Sequence, residues 1–137
     1  MTNIVIDRKG YKITASQKDT EILIYDEIGD SWLGGISAKQ FAEDMKKIKT
    51  DNLILRINSE GGSVFDGLAI YNTVRNHKSN VSVKIDGLAA SIASIIAMAG
   101  DTIEMAENAF MMIHDPWTLA GGTADELRQT ADMMDKV

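Results

Sequence analysis

The chain has 137 residues, 45% of them hydrophobic, which suits one domain able to bury a core covering more than half of its unfolded surface. Fourteen Lys and Arg against twenty Asp and Glu give a formal net charge of −6, which argues against nucleic-acid backbones and anionic membranes, since binding by counterion release needs clustered cations. With no cysteine, disulfides, thiolate catalysis and cysteine metal sites are excluded.

Residues 1–10 show no apolar stretch behind a positive charge, so no secretory leader is visible. Residues 4–6 and 11–14 read as short strands around a Lys9-Gly10 turn, and residues 21–28, rich in isoleucine, as a stronger one. A helix is predicted from Ser37, with Ser37 and Gln40 as a capping box and Phe41, Met45 and Ile48 on one face. The neighbouring Lys46, Lys47 and Lys49 fit a solvated helix face. Residues 52–57 return as a buried strand.

After the Gly61-Gly62 pair, residues 64–76 carry Phe65, Leu68, Ala69 and Asn72 at helical spacing, with Ile70 and Val74 nearby. Residues 81–85 form the next strand. The stretch 91–99 reads as a helix that is apolar all round and therefore covered on every side, stopping at Gly100 as a C′ residue. The apolar run 88–99 is far short of the roughly 20 residues a bilayer span requires, so the chain is expected to be cytoplasmic. Residues 102–105 and 110–113 supply two more strands. From Thr123 a polar helix begins with Glu126 at N3 of a capping box and a Leu127, Ala131, Met134 stripe, running to Val137.

Strands alternating with helices imply βαβ units and a mostly parallel sheet, an α/β fold. In such sheets functional groups collect beyond the strand C-termini, where Gly61, Ser91 and His114 are all expected. Ser91 has two readings. It caps the following helix, the commoner role of serine there, or it is a nucleophile, with the unpaired Ile92 N–H at the helix start as an oxyanion donor. Gly61-Gly62 is either an ordinary turn or a nest of amides in which Gly62 supplies a second donor. His114, 23 residues beyond Ser91, is the available base, while His77 lies in a polar turn at the surface. Two distant histidines give no metal-ligand spacing.

The segments 57–64 (INSEGGSV), 87–92 (GLAASI) and 112–116 (MIHDP) together, in order and spacing, resemble the ClpP family of serine peptidases across residues 21–137. The resemblance implies a ClpP/crotonase-like fold ending in a partial handle helix, with 1–137 a single domain lacking the C-terminal part of the family domain. It implies Ser91 as nucleophile, His114 as base, the Gly62 and Ile92 amides as oxyanion hole, and a peptide held as an added strand by Gly61, Ser63, Val64, Pro116 and Trp117. It implies no cofactor, a heptamer-type ring when full length, and an AAA+ ATPase as partner.

Two departures matter. Glu60 stands where housekeeping members usually have proline, and the loop between nucleophile and base is slightly shorter; both are closer to phage-encoded members, which implies prohead maturation with capsid or scaffold proteins as partners. No residue of the chain matches the histidine-orienting aspartate that members carry after the handle helix, and Asp115 points elsewhere on an extended strand. Loss of that carboxylate costs about 10⁴ in turnover, so weak activity is expected. The rival readings are an acyl-CoA enzyme of crotonase fold, which also builds an oxyanion hole from two amides, a catalytically silent assembly module, and a membrane-linked Ser-Lys peptidase.

Overall fold

A computed structural model describes residues 3–32 and 34–137. Seven strands form one sheet: β1 (Ile4–Arg8), β2 (Tyr11–Ala15), β3 (Asp19–Ile24), β4 (Asn52–Ser59), β5 (Asn80–Ala90), β6 (Thr102–Met105) and β7 (Phe110–Met112). The helices are α1 (Ala38–Met45), α2 (Val64–Arg75), α3 (Ile92–Ala97) and α4 (Ala124–Met134). The sheet runs β1-β2-β3-β4-β5-β6, with β7 pairing the far end of β5. From β3 onward every pairing is parallel, while β1 and β2 add an antiparallel hairpin at the edge.

The alternation of β2, β4 and β5 explains how the sheet buries itself. Ile13, Leu53, Leu55, Ile57, Val83 and Ile85 all point to one face and are essentially solvent-free. Helices α1 to α3 cover that face with Phe41, Met45, Ile70, Val74, Ile92 and Ile96. Parallel sheets are usually covered on both faces. Here the opposite face is polar instead, crossed by Arg56–Glu21 at 3.7 Å and Lys84–Glu104 at 3.8 Å.

One buried charge ties the edge hairpin to the helical layer. Asp44 on α1 accepts from Arg8 Nε and Nη2, at 2.9 and 3.1 Å, from the Tyr11 hydroxyl at 2.8 Å and from Lys47 at 2.8 Å. The Arg8 bond above all, despite the opposing cost of burial, holds the Asp44 carboxyl well below its ordinary range. Burial, followed by the bond to Asp44, raises the Tyr11 hydroxyl above its usual range. Tyr11 also packs edge-on against Phe41.

Several local expectations change. The strand predicted over 21–28 ends at Ile24, because the backbone turns away and Ile28 instead bridges Ile36 and Gly62. Ser37 accepts from the Gln40 amide at 3.3 Å, the serine half of a capping box. On α2 the inward stripe is Gly67, Ile70 and Val74, while Phe65 and Asn72 face out. Helix α3 is shorter than predicted and open on one side, where Ile95 and Met98 are exposed; its C-cap is Met98, not a residue before a C′ glycine. Thr123 and Glu126 do form a capping box, but α4 ends at Met134 and the Leu127, Ala131, Met134 stripe is not fully buried: Leu127 and Ala131 are exposed, and only Met134 is half-buried, beside Pro116 and Trp117. His77 is half-buried: its Nδ1 accepts from Ser79 N at 3.3 Å, which leaves Nε2 to donate to Ile48 O at 3.1 Å.

Candidate active site

Parallel neighbours β4, β5 and β7 end side by side, and each releases one functional segment there. Beyond β4 come Gly61 and Gly62, directly after β5 comes Ser91, and two residues past β7 comes His114. His114 Nε2 lies 2.8 Å from Ser91 Oγ. Ser91 N donates to Met112 O at 2.8 Å, which locks the serine turn to the strand that delivers the histidine.

Ser91 does not cap α3. Its side chain makes no capping bond, and its φ of 54° and ψ of −129° make it the one non-glycine residue with positive φ among those described. Such a backbone is sterically costly for any residue with a Cβ, by about 1–3 kcal/mol. The sharp strand-to-helix turn lifts the hydroxyl toward His114 and leaves the first amides of α3 without helical acceptors. The Ser91 carbonyl is held by Ser94, through its amide at 3.0 Å and its hydroxyl at 2.6 Å.

The glycine pair packs directly against this turn. Gly61 has a φ of 93°, and a Cβ there would meet Ala90 O at 2.6 Å, Ser91 Cβ at 2.8 Å and Ile92 N at 3.2 Å. Ser59 holds the approach: its buried hydroxyl donates to Asp26 O at 2.7 Å and accepts from Gly61 N at 3.1 Å. Ile28 N donates to Gly61 O at 2.8 Å, and Ser63 N donates to Ile28 O at 2.9 Å. In extended backbone successive residues bond to opposite sides, so the N–H and C=O of Gly62 are directed away from Ile28. Among the described residues no acceptor takes the Gly62 or the Ile92 amide.

These groups surround a cleft of about 420 Å³, lined by Ser91, His114, Gly61, Gly62, Val64, Met112, Pro116, Trp117, Glu27 and Glu60. Of the substrate-contact residues expected from sequence, Gly61, Val64, Pro116 and Trp117 lie on this wall. Ser63 does not: it N-caps α2 and borders an adjoining apolar hollow with Phe65, Trp117 and Met133. Ile92 is buried; its amide, beside Gly61, is what it brings to this place. Asp115 is exposed and lines a different hollow with Asp135. Among the described residues no carboxylate accepts from His114 Nδ1.

Two features were not foreseen from the sequence. Glu27 reaches the cleft from the loop 25–37. On β5, five residues before Ser91, Asp86 accepts from Arg56 Nε and Nη2, both at 2.8 Å, and from the Tyr25 hydroxyl, binding the ends of β3, β4 and β5 together. Bonding to Arg56, the leading cause, holds the Asp86 carboxyl below its usual range. The alternation of β4 and β5 is the signal for this pair, since Arg56 and Asp86 both lie opposite the buried isoleucines.

A serine hydroxyl hydrogen-bonded to an imidazole beside two unpaired amides can add to a carbonyl and stabilise the resulting oxyanion. Comparison with known proteins points the same way. A model of the Clp protease family matches residues 7–137. The ATP-dependent Clp protease proteolytic subunit of Ligilactobacillus salivarius is 35% identical over 117 residues, covering 84% of this chain and 59% of that protein. The proteolytic subunit of Leuconostoc citreum is 35% identical over 131 residues (88% and 65%), and subunit 1 of Synechococcus sp. strain CC9902 is 39% identical over 93 residues (66% and 45%). The chain spans roughly half to two thirds of the length of these relatives. With the parallel sheet, the serine turn and the match over nearly its whole length, the chain belongs to the Clp protease family.

Proposed function

We propose that this chain is a serine endopeptidase that cleaves polypeptides through an acyl-enzyme. The observation that carries the reading is the 2.8 Å contact of His114 Nε2 with Ser91 Oγ. In the first step Ser91 Oγ attacks the scissile carbonyl carbon and His114 Nε2 takes the hydroxyl proton. The tetrahedral oxyanion is held by the Gly62 and Ile92 amides. As the C–N bond breaks, His114 returns the proton to the leaving amine. A water then attacks the acyl-serine with His114 again as base, releasing the new carboxyl terminus and restoring Ser91.

Substrate lies along the outward side of Gly62, where one N–H and one C=O are available for strand addition, with Val64, Pro116 and Trp117 flanking it. A carboxylate on His114 Nδ1 would fix the tautomer that leaves Nε2 free to accept, and none of the described residues supplies it. The relatives are named proteolytic subunits of an ATP-dependent protease, which supports a ring of copies fed by a Clp ATPase in the cytoplasm. No helix of the described residues is long and apolar enough to cross a membrane. Glu60 and the short nucleophile-to-base loop favour a phage-encoded member acting on capsid or scaffold proteins.

The test is labelling by a fluorophosphonate, located by intact and peptide mass. Modification at Ser91 that disappears in Ser91→Ala and falls by about 10²–10⁴ in His114→Ala is expected. Absence of labelling, with thermal stabilisation by coenzyme A, would replace the peptidase with the acyl-CoA reading.

A further inference from the structure

Glu60 borders two cavities at once. One is the Ser91 cleft; the other, about 370 Å³, adjoins it and is lined by Tyr25, Asp26, Asn58, Ser59 and Leu88, with Glu27 and Glu60 forming the shared wall. Both glutamates are exposed, and neither forms an ion pair among the described residues. Arg56, on the strand that leads to Glu60, is committed to Asp86 and Glu21. Tyr25 turns its hydroxyl to Asp86, leaving its ring as pocket wall beside Leu88. The cavity is therefore mostly polar, with the Tyr25 ring and Leu88 as its apolar patches, and it sets carboxylates without an ion-pair partner among the described residues beside the Ser91 cleft.

Resting on the peptidase reading, we propose that Glu60, assisted by Glu27, is the specificity-determining residue of this site and selects a polypeptide carrying lysine or arginine beside the scissile bond. A lysine or arginine side chain ends in a cation with several N–H donors, so it answers both carboxylates and the polar Asn58 and Ser59 of the lining, with its stem against Tyr25 and Leu88. A glutamate in its place meets like charge, so the same residues exclude acidic segments. Because the carboxylates are solvated, the discrimination is modest and sensitive to salt.

The test uses peptides of about ten residues, identical except that lysine, norleucine or glutamate is scanned through the central positions. Each is scored by the concentration that halves fluorophosphonate labelling of Ser91, which requires binding but not turnover. At one position lysine should compete about fivefold better than norleucine, the upper range for an exposed ion pair, and glutamate worse than norleucine. The lysine preference should fall toward one in about 0.5 M salt. It should also collapse in Glu60→Gln, weaken in Glu27→Gln and invert in Glu60→Lys, yet persist in Asp51→Asn, which changes net charge equally at the other end of the strands. Equal competition by lysine and norleucine peptides, or a preference untouched by the Glu60 variants, overturns the proposal while Ser91 still labels. Failure of Ser91 to label at all overturns the peptidase reading, and this inference with it.

Discussion

A methyl group on Gly61 would stand 2.8 Å from the Cβ of Ser91, closer than such carbons pack. The glycine turn after β4 and the serine turn after β5 are therefore a single packed unit, and the absence of a side chain in one permits the geometry of the other. Gly61→Ala should cost about 1–3 kcal/mol, from strain at a φ of 93° and displacement of the serine turn. It should slow fluorophosphonate labelling by at least tenfold, more than its stability loss explains at temperatures where it is fully folded. Labelling at the parent rate in a folded Gly61→Ala protein would separate the two turns.

Ser91 itself offers a test of its backbone. Ser91→Ala and Ser91→Gly should both abolish labelling, because both remove the hydroxyl. Their stabilities should differ: glycine tolerates a φ of 54°, so Ser91→Gly should be more stable than Ser91→Ala by about 1 kcal/mol in urea denaturation. Equal stabilities would mean that the turn carries no torsional cost.

Ser59 connects the glycine turn to the end of β3. In Ser59→Ala the Asp26 carbonyl and Gly61 amide lose their partner in a buried position, so destabilisation of about 1–3 kcal/mol is expected. Ser59→Cys, which keeps a weak donor, should fall between the two proteins in both melting temperature and labelling rate.

Acid should expose the Asp44 network. Because the folded carboxyl titrates below its ordinary 3.8, its stabilising contribution is complete above that value and is lost as pH falls through the lowered one. Asp44→Asn should therefore cost about 1.5–3 kcal/mol at pH 7, and the difference from the parent should shrink below about pH 4. Urea midpoints across the acid range measure this; a constant difference would show that the charge of Asp44 is immaterial.

The sheet and the three segments that meet at the candidate site were legible because each rests on local signals. Ile13 and Val83 alternate with polar neighbours, residues 53–55 are an apolar run, Ser37 and Thr123 sit at helix starts, Ser91 and His114 each follow an apolar run, and Gly61 opens a glycine pair after a strand. Residue type alone did not tell whether Ser91 caps α3, since the deciding quantity is a backbone torsion. The Arg56–Asp86–Tyr25 cluster depends on the register of three strands, which no single segment contains. Glu27 enters the cleft only because Ile28 bridges both Ile36 and Gly62, folding back a loop that is remote in sequence from Glu60. The inner face of α2 was misjudged because Gly67 lets the helix approach Ile92 closely, which moves the bulky Phe65 outward.

Helix α4 has eleven residues, a good N-cap and no buried side chain. A free-standing helix of that length is marginal in water, so its amides should exchange with solvent by local opening, long before those of β4 and β5. Pro116 and Trp117 stand on the segment leading into that helix. The two walls of the cleft therefore differ in anchorage: the Gly62 wall is tied into the sheet through Ile28, whereas the Trp117 wall leads into a helix with no buried side chain.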